Sequence, residues 1–198
     1  MTDTLYTLAT ACQHSEDIKK SRFLAQAAPV QTPEQALAFV RQVSDAAATH
    51  NCWAYRIGQD YRFNDDGEPG GTAGRPILQA IEGQGVDRAV VVVTRWYGGI
   101  KLGAGGLVRA YGGTAAECLR RAARVPIVAM ARLGLRCDFA ELALLKARLR
   151  ELDAEVQREH FDTDGVELEI LLPETRVDET LSRITDISRG RYSGQRLD

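Results

Sequence analysis

The chain has 198 residues, 44% of them hydrophobic and 26% charged, with a formal net charge of −2. That composition is that of a soluble globular protein with one large domain or two small ones. It excludes a disordered, fibrous or strongly basic chain. The longest purely aliphatic run, Ala89 to Val93, falls far short of the roughly 20 residues of a membrane helix. The start, "MTDTLYTLAT", has neither a basic stretch nor a long apolar one, so no secretory leader and a cytoplasmic location are expected.

The first segment reads β, then α, then β. "TLYTLAT" and "SRFLAQAAPV" have strand composition. "TPEQALAFVRQVSDAAATH" opens with Thr32 as a cap, Pro33 in the first helical position and Gln35 completing a T-x-x-Q box. Leu37, Val40 and Ser44 or Ala47 then follow at helical spacing. "NCWAYRIG" (51–58) is the next strand, and "NDDGEPGGTAGRP" (64–76) is a cluster of breakers before a short helix, "PILQAIEGQ". "RAVVVVTRW" (88–96) lacks polar alternation and reads as a strand covered on both faces.

"RWYGGIKLGAGGLVRAYGG" (95–113) holds seven of the 18 glycines and three basic side chains, and runs into a helix ending near Ala123. On that helix Leu107, Tyr111, Ala115, Cys118 and Ala122 share one face, while Arg109, Gly113 and Arg120 lie on or near the other. The stretch fails both phosphate fingerprints. Read as G-x-G-x-x-G from Gly103, it has Val108 in the third glycine position. Read as a Walker A loop, it has Ala104 after Gly103. Two readings remain. Glycines let backbones pack closely, which Gly112 and Gly113 favour. A glycine-rich turn opening a helix also presents bare N–H groups to an anion. The expected anion or nucleic-acid contacts are Arg95, Lys101 and Arg109 with the amides of Gly103, Gly105 and Gly106. Thr72, Gly74 and Arg75 at the preceding helix start form a second candidate nest.

Asp65, Asp66 and Glu68 place three carboxylates in four residues. They suit either Mg²⁺ and acid–base work or, with Gly67 and Pro69, an ordered turn. No EF-hand, G-x-S-x-G or H-E-x-x-H pattern occurs, and His14, His50 and His160 are scattered. No catalytic residue, metal or cofactor is expected. The cysteines at 12, 52, 118 and 137 form no C-x-x-C and read as reduced, packed thiols.

Arg124–Pro126 marks a boundary, giving domains 1–125 and 126–198. Lys+Arg against Asp+Glu is 14 to 12 in the first and 11 to 15 in the second, which places any polyanion site in the first. The second domain reads β-α-β-β-α-β, a ferredoxin-like order. Asp138 and Glu141 mark a helix start, "DTDG" (162–165) a hairpin, Gly190 a helix end and "RYSGQRL" a last strand. Glu167 and Glu169 should face the open side of the sheet and repel a phosphate backbone. That domain therefore reads as a docking or dimerisation module, or a scaffold partner, with a protein as its expected contact.

"NDDGEPGGTAGRPIL" and "VVVVTRWYGGIKLGAGGLVRAY", with "KKSRFLA" and "HNCWAY", resemble the YigZ/IMPACT family over roughly residues 15–125. Asp65, Asp66, Gly67, Glu68, Pro69, Gly71 and Gly74 fall in its motif loop. Gly70 stands where the family usually has serine, and Trp96 where it usually has tyrosine. The resemblance implies an α/β (α+β) chain of two domains. The N-terminal one is ribosomal protein S5 domain 2-like. The C-terminal one resembles the last, ferredoxin-like domain of translocating elongation factors, and fits the domain of unknown function appended in bacterial members. Eukaryotic relatives regulate translation initiation through a partner bound by an extra domain, for which this chain has no room. The leading expectation is a non-enzymatic, translation-linked regulator whose partner is RNA or a ribosomal or translation component. The alternatives are an enzyme or nucleotide/phosphate binder using Asp66 and Glu68, and a protein-docking module.

Overall fold

A computed structural model describes residues 5–197. The chain divides into two compact units at 127/128. In the first, β2 (Cys12–Ile18), β3 (Ser21–Pro29), β4 (His50–Ile57), β5 (Asp60–Asn64) and β6 (Ala89–Trp96) form one sheet in the order β2-β3-β6-β4-β5. Every pairing is antiparallel. The helices are α1 (Pro33–Val43), α2 (Gly74–Gly83) and α3 (Ala104–Arg121). A separate two-stranded pair, β1 (Tyr6–Leu8) with β7 (Arg124–Pro126), ties the two ends of the unit together.

The central strand explains its own composition. Val91 and Val93 face a core built with Ile77 and Ile81 of α2 and with Leu107, Tyr111, Ala115 and Cys118 of α3. Val90 and Val92 face the other way, against Ala36 and Val40 of α1. All four valines are fully buried. Each contributes about 1.5–3 kcal/mol relative to exposure, which is why no polar residue interrupts the run.

α1 starts where its signals place it. Thr32 Oγ1 accepts from the Gln35 amide at 3.3 Å. The Gln35 side chain, however, accepts from the Gln31 amide (2.7 Å) rather than from that of Thr32. The helix stops at Val43, with Ser44 extended, so Ala47 lies beyond it.

Two strands absent from the sequence reading are polar edges. In β2 alternate residues are half-buried against α3, and none carries a run of apolar neighbours. A two-residue turn, Lys19–Lys20 with φ of 45° and 65°, joins it to β3. Both dihedrals are left-handed, as the primed hairpin turns require. β5 is exposed throughout.

The glycines of 98–113 divide by role. A Cβ at Gly98 would overlap the Lys20 carbonyl, so side-chain-free packing is obligatory there. Gly99 and Gly103 adopt φ of 89° and 72°. Gly112 sits in ordinary contact distance of Pro76, and Gly113 faces open space. The close-packing reading thus holds for Gly98 but not for Gly113.

In the second unit, β8 (Met130–Cys137), α4 (Leu142–Glu151), β9 (Glu155–Phe161), β10 (Val166–Pro173), α5 (Val177–Ile187) and β11 (Gln195–Arg196) follow the β-α-β-β-α-β order. The sheet order is β11-β8-β10-β9, all antiparallel, the ferredoxin-like arrangement. Leu133, Leu135, Leu168 and Ile170 pack with Leu145 and Leu149 of α4 and Ile184 of α5. The hairpin at 162–165 forms, with the Asp162 carboxylate accepting from the Asp164 and Gly165 amides.

Asp138 does not cap α4. Its carboxylate is taken by Arg191 (2.9 Å) and by the Tyr192 hydroxyl, and Glu141 occupies the cap position with its side chain bonded to Arg191 and to no helix amide. Gly190 follows α5 with φ of 79°, its amide bonded to the Thr185 carbonyl. Glu167 and Glu169 do lie on the open sheet face. There they meet Arg136 (3.2 Å) and Arg132 (3.0 Å). That face is therefore charge-paired, where the sequence reading foresaw a repelling acidic surface.

Gly98→Ala should lower stability by about 1–3 kcal/mol through backbone overlap. Gly113→Ala, inside an exposed helical turn with free space, should raise it by about 0.5–1 kcal/mol. Urea unfolding of the two variants against the parent checks both signs.

Candidate anion-binding site

The breaker cluster folds onto its own carboxylates. Asp65 accepts from the amides of Gly71 (2.8 Å), Ala73 (3.1 Å) and Gly74 (2.8 Å). The start of α2 is thus satisfied by the chain's own anion. Asp66 Oδ2 accepts from the Asn51 amide at 2.6 Å. Its carbonyl lies 2.6 Å from His50 Nδ1, which makes that nitrogen a donor. Thr72 donates its hydroxyl to the Pro69 carbonyl at 2.6 Å. The nest foreseen at Thr72, Gly74 and Arg75 is therefore filled from within, and only the Arg75 side chain is exposed there.

Glu68 carries the loop into the core. Its side chain is 4% exposed, and Oε1 accepts from Arg95 Nη1 (2.6 Å) and the Tyr111 hydroxyl (2.7 Å). Arg95 sits near the Phe23 and Tyr97 rings, with centroids at 5.5 and 5.3 Å. Its Nη2 reaches Ser21 Oγ at 3.5 Å. Residues 64–76 and 95–113 thus meet at Glu68, Arg95 and Tyr111. Arg95, expected among the surface cations, is 5% exposed. A guanidinium at the end of a central strand has no route to water, and it takes a buried carboxylate instead.

The same cluster sets the chemistry of its neighbours. Burial, followed by the nearby carboxylates, pushes the Cys52 thiol up to about 12. That thiol lies 3.0 Å from the Asp65 carbonyl and donates to it. Burial and the bond to Glu68 push the Tyr111 phenol well above its usual range. At neutral pH neither is a nucleophile or base. No group of three His, Cys, Asp or Glu side chains arranged to hold a metal occurs among the described residues.

The start of α3 is the opposite case. Gly103 stands at its cap position with φ 72° and ψ 165°, no side chain caps it, and its first turn has no acidic residue. Arg109 runs back along the helix. Its Nη1 lies 3.9 Å from where a Cβ of Gly105 would be, in the direction helical side chains lean. Lys101 and Arg109 are exposed, and among the described residues neither makes an ion pair or hydrogen bond. Gly98 packs on the Lys20 backbone, which brings the Lys19–Lys20 turn beside this loop. Those two lysines were missed as site residues, although adjacent like charges in a turn were a readable signal.

These features define a two-unit α/β protein with one uncapped, glycine-rich helix start flanked by unpaired cations. Residues 19–119 match the family model described as Impact N-terminal domain, and 135–191 match the domain of unknown function DUF1949. "IMPACT family member in pol 5'region" of Thermus thermophilus is 49% identical over 88% of this chain and 97% of its own length. "IMPACT family member YigZ" of Escherichia coli (strain K12) is 38% identical over 88% and 89%. The solved structure "Crystal structure of an hypothetical protein" aligns over 100% of this chain and 99% of its own, at 35% identity and a TM-score of 0.72. This chain belongs to the IMPACT family. No described helix is long and apolar enough to cross a membrane.

Glu68→Ala leaves the Arg95 charge buried and unpaired, and should cost about 3–5 kcal/mol. Tyr111→Phe removes one bond to a charged acceptor and should cost about 1.5–3 kcal/mol. Chemical denaturation measures both, and the double variant should lose less than the sum because the two share Glu68 Oε1.

Proposed function

We propose that the protein is a non-enzymatic, translation-linked regulator that binds RNA, free or within a ribosomal component, at the start of α3. The observation that carries this reading is the uncapped Gly103–Gly106 turn with Lys101 and Arg109 exposed and unpaired beside it. A phosphate there would meet free amides, the positive end of an 18-residue helix and two cations at once. Arg75 extends the surface, since α2 packs beside α3 through Pro76 and Gly112. The link to translation rests on the family resemblance alone. Asp65, Asp66 and Glu68 are each committed to bonds inside the protein, which favours a loop-ordering role for them over acid–base catalysis.

The test is single-stranded RNA binding by the full chain as salt is raised. Three phosphate contacts should give a log–log slope of about −2, and Lys101→Ala/Arg109→Ala should reduce it to about −0.7. No binding at low salt, or binding unchanged in the double variant, would overturn the assignment. Thermal stabilisation by nucleotides without RNA binding would move it to a small phosphate ligand.

A further inference from the structure

Cys12 and Cys118 are 106 positions apart in sequence, yet their Sγ atoms lie 3.7 Å apart. Both are free thiols. β2 lies directly against α3, so the pair bridges an edge strand and the last turns of the helix. Reaching the about 2.05 Å of a disulfide takes a sulfur displacement of about 1.7 Å, on the scale of side-chain rotation. The two are unequally placed: Cys12 is half-buried and Cys118 is 1% exposed. The geometry points to a peroxide-responsive site in which Cys12 is the attacking thiol and Cys118 the resolving one, closing a reversible intramolecular disulfide.

The ionisation pattern fits that division of labour. The contact with Cys118, whose thiol can donate to a Cys12 thiolate, lowers the Cys12 thiol, against the opposing effect of burial. Cys118 is pushed far up by the same contact and by burial. Of the two, Cys12 is thus the thiol that more readily becomes a thiolate. His14 and Glu16, bonded to each other at 2.9 Å, share its side of β2. From α3, Glu117 with Arg121 and Arg120 completes the charged surroundings. Cys52 and Cys137 serve as internal controls. Burial raises both thiols, and Cys52 is further occupied with the Asp65 carbonyl.

The step balances with a hydroperoxide as oxidant. The Cys12 thiolate attacks the distal peroxide oxygen and the O–O bond breaks. With one proton taken up, the products are Cys12 sulfenic acid and an alcohol, or water when the oxidant is hydrogen peroxide. The Cys118 sulfur then attacks Cys12 Sγ and the S–O bond breaks. The thiol proton leaves with the hydroxide as water. The two thiols lose two electrons, and the peroxide bond gains them. A dithiol reductant reverses the bridge by exchange.

Treating the full chain with hydrogen peroxide, then counting thiols after denaturation, tests this. Half of the four thiols should disappear and return with dithiothreitol, and peptide mapping should join Cys12 to Cys118 within one chain. Cys12→Ser should keep its remaining thiols under the same exposure. Cys118→Ser should stop at a sulfenic acid on Cys12, trapped by dimedone. Retention of all four thiols in the parent, a bridge mapped to another pair, or cross-linking only between chains would overturn it.

Discussion

The buried pair between Glu68 and Arg95 is the constraint on which the first unit turns. Two charges inside a domain need partners, since desolvation would otherwise cost several kcal/mol each. Glu68 therefore pins the breaker loop to the end of the central strand, and Tyr111 brings α3 to the same oxygen. Loop, strand and helix come from well-separated segments of the chain. A single carboxylate oxygen joins all three.

The two helix starts beside that pair are treated oppositely. α2 begins under the Asp65 carboxylate and is electrically closed. α3 begins on glycines, and among the described residues no side chain caps it. The acidic residues of the motif loop serve the architecture, Arg95 is paired with one of them, and Lys101 and Arg109 stay exposed. That separation is what turns a chain of net charge −2 into one with a local positive corner.

Much of this was legible in the sequence. The apolar run at 89–93, the Thr32–Pro33 helix start and the second unit's strand and helix order all follow from periodicity and capping rules, because burial dictates those residues. β2 and β5 were not legible. Edge strands owe their form to hydrogen bonds with one neighbour, and their side chains carry polar, solvent-matched signals. The burial of Arg95 was also out of reach, since an arginine beside a glycine-rich turn reads as a surface cation until Glu68 is found against it. Asp138 misled for a related reason. Its partners Arg191 and Tyr192 lie more than fifty residues later in the sequence.

Asp65 has a consequence for selectivity. A carboxylate tethered a few residues from the amides it satisfies acts at an effective concentration in the millimolar range or above. Free phosphate, nucleotides and other soluble anions must outcompete it to occupy the start of α2. Among the described residues no such internal competitor sits at the start of α3. Under the proposed reading, a polyanion would have one point of attachment in place of two.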